Sequence, residues 1–140
     1  MGIKKYLIIL IVLVSTALVG QESKLANEYY RNGEYEKSAQ LYERLYVKSN
    51  RNDFYFNRYL ESLLALEEYD QAEKIIKDEL KRSPKSVQLY VSYGNLYERK
   101  NENEKAIKEY QKAIKNVPSD VGSISRLANA FLSLAKYDLA

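Results

Sequence analysis

From Glu22 onward, apolar residues return at intervals of three and four, which is the spacing of one face of an α-helix. The first such run is Glu22–Asn32, with Leu25, Ala26 and Tyr29 inward, and Asn32-Gly33 ends it because glycine accepts a left-handed backbone. Tyr35–Lys48 follows, with Tyr35, Ser38, Tyr42 and Leu45 on a narrow stripe, then a turn through Asn50 and Asn52 in which Asp53 is the expected N-cap. Phe54–Leu66 is the most hydrophobic run. Asp70–Arg82 keeps Ala72, Ile75, Ile76 and Leu80 inward and closes at Ser83-Pro84. Gln88–Pro118 contains two helices, one marked by Tyr90, Tyr93, Gly94 and Tyr97, the other by Ala106, Tyr110 and Ala113. The last run carries Ile124, Leu127, Ala128 and Phe131, and a further helix begins at Tyr137 and Asp138. The expectation from this spacing is all-α.

These runs are copies of one another. Moving back 34 residues from Ala106, Tyr110 and Pro118 lands on Ala72, Ile76 and Pro84, and a second step lands on Ser38, Tyr42 and Asn50. Moving forward from Tyr90, Tyr93, Gly94 and Tyr97 lands on Ile124, Leu127, Ala128 and Phe131. A strict 34-residue period of small and large residues resembles the tetratricopeptide repeat. The resemblance covers about Glu22–Ala140 and implies an α-solenoid of antiparallel helix pairs, with three units and an incomplete fourth, at about 21–52, 53–86, 87–120 and 121–140. The chain departs from the pattern at Leu60, where a small residue is preferred, at Glu79, where alanine is usual, and at Asn103, where Tyr35, Tyr69 and Tyr137 have tyrosine. A slightly splayed second repeat is therefore expected. The fourth repeat's second helix reaches about one turn before Ala140, too short to cover its partner's apolar face. The expectation is a longer protein truncated at Ala140, and an uncapped last repeat offers a face for self-association.

The first residues follow another pattern. Lys4 and Lys5 precede an unbroken apolar run, Leu7–Val14, and Ser15, Thr16, Ala17 and Gly20 supply small residues before Gln21. This reads as a secretory signal peptide, 1–20, cleaved near Gly20–Gln21. The alternative is a retained membrane anchor, but Tyr6–Gly20 is only fifteen uncharged residues, whereas a spanning helix needs about 20. With no cysteine after Gly20 the chain cannot be a bacterial lipoprotein, and the mature protein is expected to be exported, periplasmic or extracellular, with no membrane partner after cleavage.

Composition narrows the chemistry. Of 22 basic residues, loss of Lys4 and Lys5 leaves 20 against 19 acids, a mature net charge of +1, so the basic pI of 8.9 is no sign of a nucleic-acid partner. Lys105, Lys108, Lys112 and Lys115 are interleaved with acids. There is no histidine and no cysteine, which removes the usual neutral-pH base, thiol catalysis, nearly all zinc sites and any disulfide. Glu67, Glu68 and Asp70 read as a solvated turn that caps the next helix. No glycine-rich phosphate loop exists among the five glycines, and Ser62 and Ser92 have no activating base. The expectation is no enzyme activity and no cofactor. Of the 14 tyrosines, Tyr29, Tyr35, Tyr42, Tyr59, Tyr69, Tyr90, Tyr93, Tyr97, Tyr110 and Tyr137 fall on core slots of the repeat, their hydroxyls at the rim reaching water or a carbonyl, and Tyr30 alone falls on a groove slot.

In the repeat family that the chain resembles, the first helix of each pair lines a groove that takes a peptide or a partner's helix. The resemblance places Asn27, Tyr30, Arg31, Asn57, Glu61, Asn95, Arg99 and Asn129 there, with Phe54, Leu64, Val91, Glu98 and Leu132 among their neighbours. Asn27, Asn95 and Asn129 share one slot, filled by Glu61 in the second repeat, and a carboxamide can both give and accept a hydrogen bond along an extended peptide backbone. Some relatives clamp the C-terminal carboxylate of a chaperone peptide with basic residues and asparagines. Of that set only Asn27 is kept, since Ser23, Gln88 and Ser92 stand at the basic slots and Arg58 at an asparagine slot, so chaperone-tail capture is not expected. The function implied is an exported scaffold or adaptor for a protein or peptide partner. The alternative is an N-terminal docking module of a longer envelope enzyme or signalling protein.

Overall fold

The computed structural model describes Tyr6 and residues 20–134. The apolar run 7–19 and the segment holding Tyr137, Asp138 and Ala140 lie outside the described residues. Those described beyond Tyr6 form helices α1 (residues 20–31), α2 (Tyr35–Lys48), α3 (Asp53–Ala65), α4 (Tyr69–Arg82), α5 (Val87–Arg99), α6 (Asn103–Asn116) and α7 (Val121–Ser133). The first residues of α2, α4 and α6 are 34 apart, and so are those of α3, α5 and α7. Among the described residues no helix is long and apolar enough to cross a membrane.

The period extends to the turns. Gly33, Glu67 and Asn101 occupy one slot and all have positive φ, at 77°, 59° and 60°. At Gly33 and Asn101 the backbone closes the preceding helix in the same way: Glu34 N–H donates to the Tyr29 carbonyl and Glu102 N–H to the Tyr97 carbonyl, each at 2.8 Å. The longer turns are closed by side chains, also one period apart. Asn52 accepts from Phe54 N–H at 2.9 Å, Ser86 from Leu89 N–H at 3.4 Å and Asp120 from Ser123 N–H at 2.9 Å. The cap of α3 is thus Asn52, with Asp53 the first helical residue, because an amide two residues before Phe54 reaches its N–H without distorting the turn. Glu34, Glu68 and Glu102 precede α2, α4 and α6 and make no capping bond, so the acidic turn at Glu67 and Glu68 does not cap α4 through a side chain. Glu34 and Glu102 instead pair with Lys37 and Lys105, three residues on.

The chain divides into two compact units, Met1–Glu67 and Glu68–Ala140. In the first, α2 packs on α3 around Tyr42, Leu45, Phe56 and Tyr59, all buried. Ser38 Oγ lies 3.1 Å from the Ala26 carbonyl of α1 and 3.1 Å from Ser62 Oγ of α3, and Ser62 Oγ lies 2.9 Å from the Arg58 carbonyl. Each hydroxyl hydrogen therefore has a carbonyl to meet, which removes the penalty of burying two serines. Leu25, expected inward, is 41% exposed.

In the second unit α5 is central and packs on α4, α6 and α7. Gly94 permits its closest approach: a Cβ there would stand 2.3 Å from the Tyr110 ring. That ring, buried, meets Phe131 edge-on at 5.6 Å. Leu127 and Phe131 of α7 are buried, whereas Ile124, expected in the core slot of Tyr90, is 48% exposed.

Candidate functional site

In the first unit, Asn27 and Tyr30 are half-buried on α1 and Arg31 is exposed; Asn57 is half-buried and Glu61 exposed on α3. The structure brings Tyr30 and Glu61 together through a residue absent from the expected groove set. The Arg58 guanidinium lies 5.8 Å from the Tyr30 ring centre and 5.7 Å from that of Phe54, and donates to Glu61 Oε2 at 2.8 Å. A cation between two aromatic rings and a carboxylate is a stiff surface patch. Its only sequence signal was an arginine at a slot where relatives hold asparagine. Tyr30 also meets Tyr35 edge-on at 5.3 Å.

In the second unit, Asn95 is half-buried on α5, and Arg99 and Asn129 are exposed on α5 and α7. The side chains of Asn27, Asn57, Asn95 and Asn129 make no hydrogen bond to another described residue, nor do Arg31 and Arg99 form an ion pair with one. Two neighbours belong to the core instead: Leu64 is 4% exposed and Val91 2%. Glu98 is likewise engaged, its Oε2 accepting from Tyr110 Oη at 3.0 Å. Burial of the Tyr110 ring and the Glu98 charge both push that phenol well above its ordinary range.

The densest polar cluster lies between α4 and α5. Glu73 Oε1 accepts from Tyr93 Oη at 2.9 Å and pairs with Lys77 at 2.6 Å, and Glu73 Oε2 pairs with Lys100 at 3.3 Å. Tyr97 Oη donates to Tyr93 Oη at 2.9 Å, the two rings stacked 4.6 Å apart. The Lys77 ammonium above all, with Tyr93 and Lys100, holds the Glu73 carboxyl down at about 2, while burial drives the Tyr93 phenol up. Both groups therefore keep one protonation state across neutral pH, and the cluster acts as a tie between helices. The hydroxyls of Tyr93, Tyr97 and Tyr110 thus find carboxylates and each other, while Tyr90 Oη donates to the Pro84 carbonyl at 2.8 Å. Among the described residues no group of three or more acidic side chains converges as a metal site.

Residues 61–121, under half of the chain, match the family described as tetratricopeptide repeat. No curated protein matches the chain in sequence. Among solved structures, the TPR2AB domain of yeast Sti1, determined as a pHSP90 complex, is similar with a TM-score of 0.60 at 19% identity, over 88% of this chain and 50% of that one. The chain thus spans half the length of that structure, and the likeness is one of fold. Helix pairs repeating every 34 residues, a tetratricopeptide match at 61–121 and this structural likeness together make the protein an all-α helical-repeat fold of the tetratricopeptide kind.

Proposed function

We propose that the protein is an interaction scaffold that binds a peptide or a partner's helix on the exposed faces of α1, α3, α5 and α7, and that it works by binding and not by reaction. The observation that carries this reading is that each unit has unengaged carboxamides on the first helices of its pairs, Asn27 and Asn57 in the first and Asn95 and Asn129 in the second. An amide that is unbonded and at least partly open to solvent offers a donor and an acceptor to a peptide backbone. The solved relative is a complex with pHSP90, which supports a protein ligand in kind. Of the basic and asparagine slots with which some members of the repeat family clamp a chaperone tail only Asn27 is kept here, which favours a ligand of another sort. The N-terminal pattern, two lysines followed by an apolar run and small residues, supports export with cleavage near Gln21 and a periplasmic or extracellular place of work.

Replacing Asn95→Ala and Asn129→Ala together should reduce partner capture from the exported fraction several-fold while circular dichroism shows the same helix content. Capture at the wild-type level would end the claim. N-terminal sequencing of the mature protein tests export separately, with a start near Gln21 expected.

A further inference from the structure

Between the N-terminal ends of α5 and α7, inside the second unit, the surface opens into a cavity of about 400 Å³. Val87, Val117, Pro118 and Leu127 form its apolar walls. Lys85, Gln88, Asn116, Ser123 and Arg126 complete the lining, and no acidic residue takes part. Lys85 is exposed and has no ionic partner among the described residues. Arg126 uses one amino group on Ser123 Oγ, at 2.9 Å, and has no carboxylate bonded to it. Asp120 feels the Arg126 charge, but its Oδ1 is engaged by Ser123 N–H at the start of α7. Two cations thus stand over an apolar hollow with no counter-charge in its walls.

We infer that this cavity takes an apolar side chain of an extended partner peptide, and that Lys85 and Arg126 hold an acidic side chain next to it. The inference rests on the proposed peptide-binding function and gives that function a sequence preference. Gln88 and Asn95 are seven residues apart and so share a face of α5, about 10 Å along its axis. Arg126 and Asn129 are one turn apart on α7. A peptide whose backbone is bonded by the Asn95 and Asn129 amides reaches the cavity with about three extended residues, and passes through it as a continuing chain. Its carboxylate there is that of an aspartate or glutamate side chain and not of a chain end.

The probes are fluorescein-labelled octapeptides blocked at both ends, carrying a leucine beside an aspartate in a glycine–serine background. Matched peptides carry asparagine for the aspartate or serine for the leucine. Fluorescence anisotropy should show the leucine–aspartate peptide binding at least tenfold more tightly than either control. Lys85→Gln with Arg126→Gln, both at exposed positions, should abolish that preference with helix content unchanged, and Lys85→Glu with Arg126→Glu should reverse it toward a leucine–lysine peptide. Asn95→Ala with Asn129→Ala should weaken all peptides alike, which reports on the groove and not on the cavity. Wild-type protein that does not distinguish the peptides, a glutamine variant that keeps the preference, or binding that needs a free C-terminus would each overturn the inference. The first two outcomes leave the scaffold reading to the partner-capture experiment.

Discussion

Glu67 adopts a left-handed backbone, φ 59°, in a slot that Gly33 and Asn101 fill with residues suited to it. A side chain with a Cβ is strained there by about 1–2 kcal/mol, and glycine returns part of that as unfolded-state entropy. Glu67→Gly should therefore stabilise the protein by about 0.5–1 kcal/mol, seen as a higher thermal midpoint; a lower midpoint would mean that the Glu67 side chain has a role of its own. Of these turns only Asn32-Gly33 was legible beforehand, because glycine announces a positive φ. Glu67 and Asn101 are held there by backbone bonds to the Leu64 and Glu98 carbonyls, which leave no mark on residue type. The same limit applied to the cap of α3: Asn52, Asp53 and their neighbours are all capable acceptors, and only geometry selects Asn52. At the site, Arg58 was hidden for a similar reason. Its importance comes from Tyr30, Phe54 and Glu61 converging on it from two helices.

Between elements, helical spacing identified which face is buried but not how wide that face is. Leu64 and Val91 fall on the expected groove face with Asn57 and Asn95, yet both are buried while those asparagines are only half-buried. Ile124 is uncovered although its slot is filled by the half-buried Tyr90 one period earlier. Gly94 was correctly legible as a close-approach position, since the repeat pattern calls for a small residue there. Gly94→Ala would press a methyl into the body of the Tyr110 ring, not a flexible tip. A loss of roughly 1–3 kcal/mol is expected, measurable by urea unfolding, and an unchanged midpoint would show that α5 and α6 can separate freely.

The tie between α4 and α5 carries a pH signature. Glu73 ionises at about 2 in the fold against an ordinary 4.5, so its contribution is full above 4.5 and is lost as pH falls through that window. Since Lys77 is largely exposed and screened, the effect is on the order of 2 kcal/mol. Glu73→Gln should flatten the decline in stability between about pH 4.5 and pH 2, followed by thermal melts; an equally steep decline would assign acid sensitivity to other carboxylates.

On the scale of the whole molecule, the 34-residue spacing made the fold class readable without any structure, because every joint between helices falls at the same phase. Partner identity was not readable, since a carboxamide suits any peptide backbone and takes its selectivity from what surrounds it. Without cysteine, each unit is held by side-chain packing and a few ties such as Ser38–Ser62 and Glu73–Lys100. Asn52 and Ser86 are equivalent caps, so removing residues 53–86 joins Asn52 to Val87 in the relation Ser86 has now. The shortened chain should fold with the same helix content per residue, while removal of 53–85 should not. Equal joints mean that such a chain can grow or shrink by whole periods without inventing a new turn. Its length is a quantity that recombination within its own coding sequence can change in a single event, whereas a slip of one residue misaligns everything downstream.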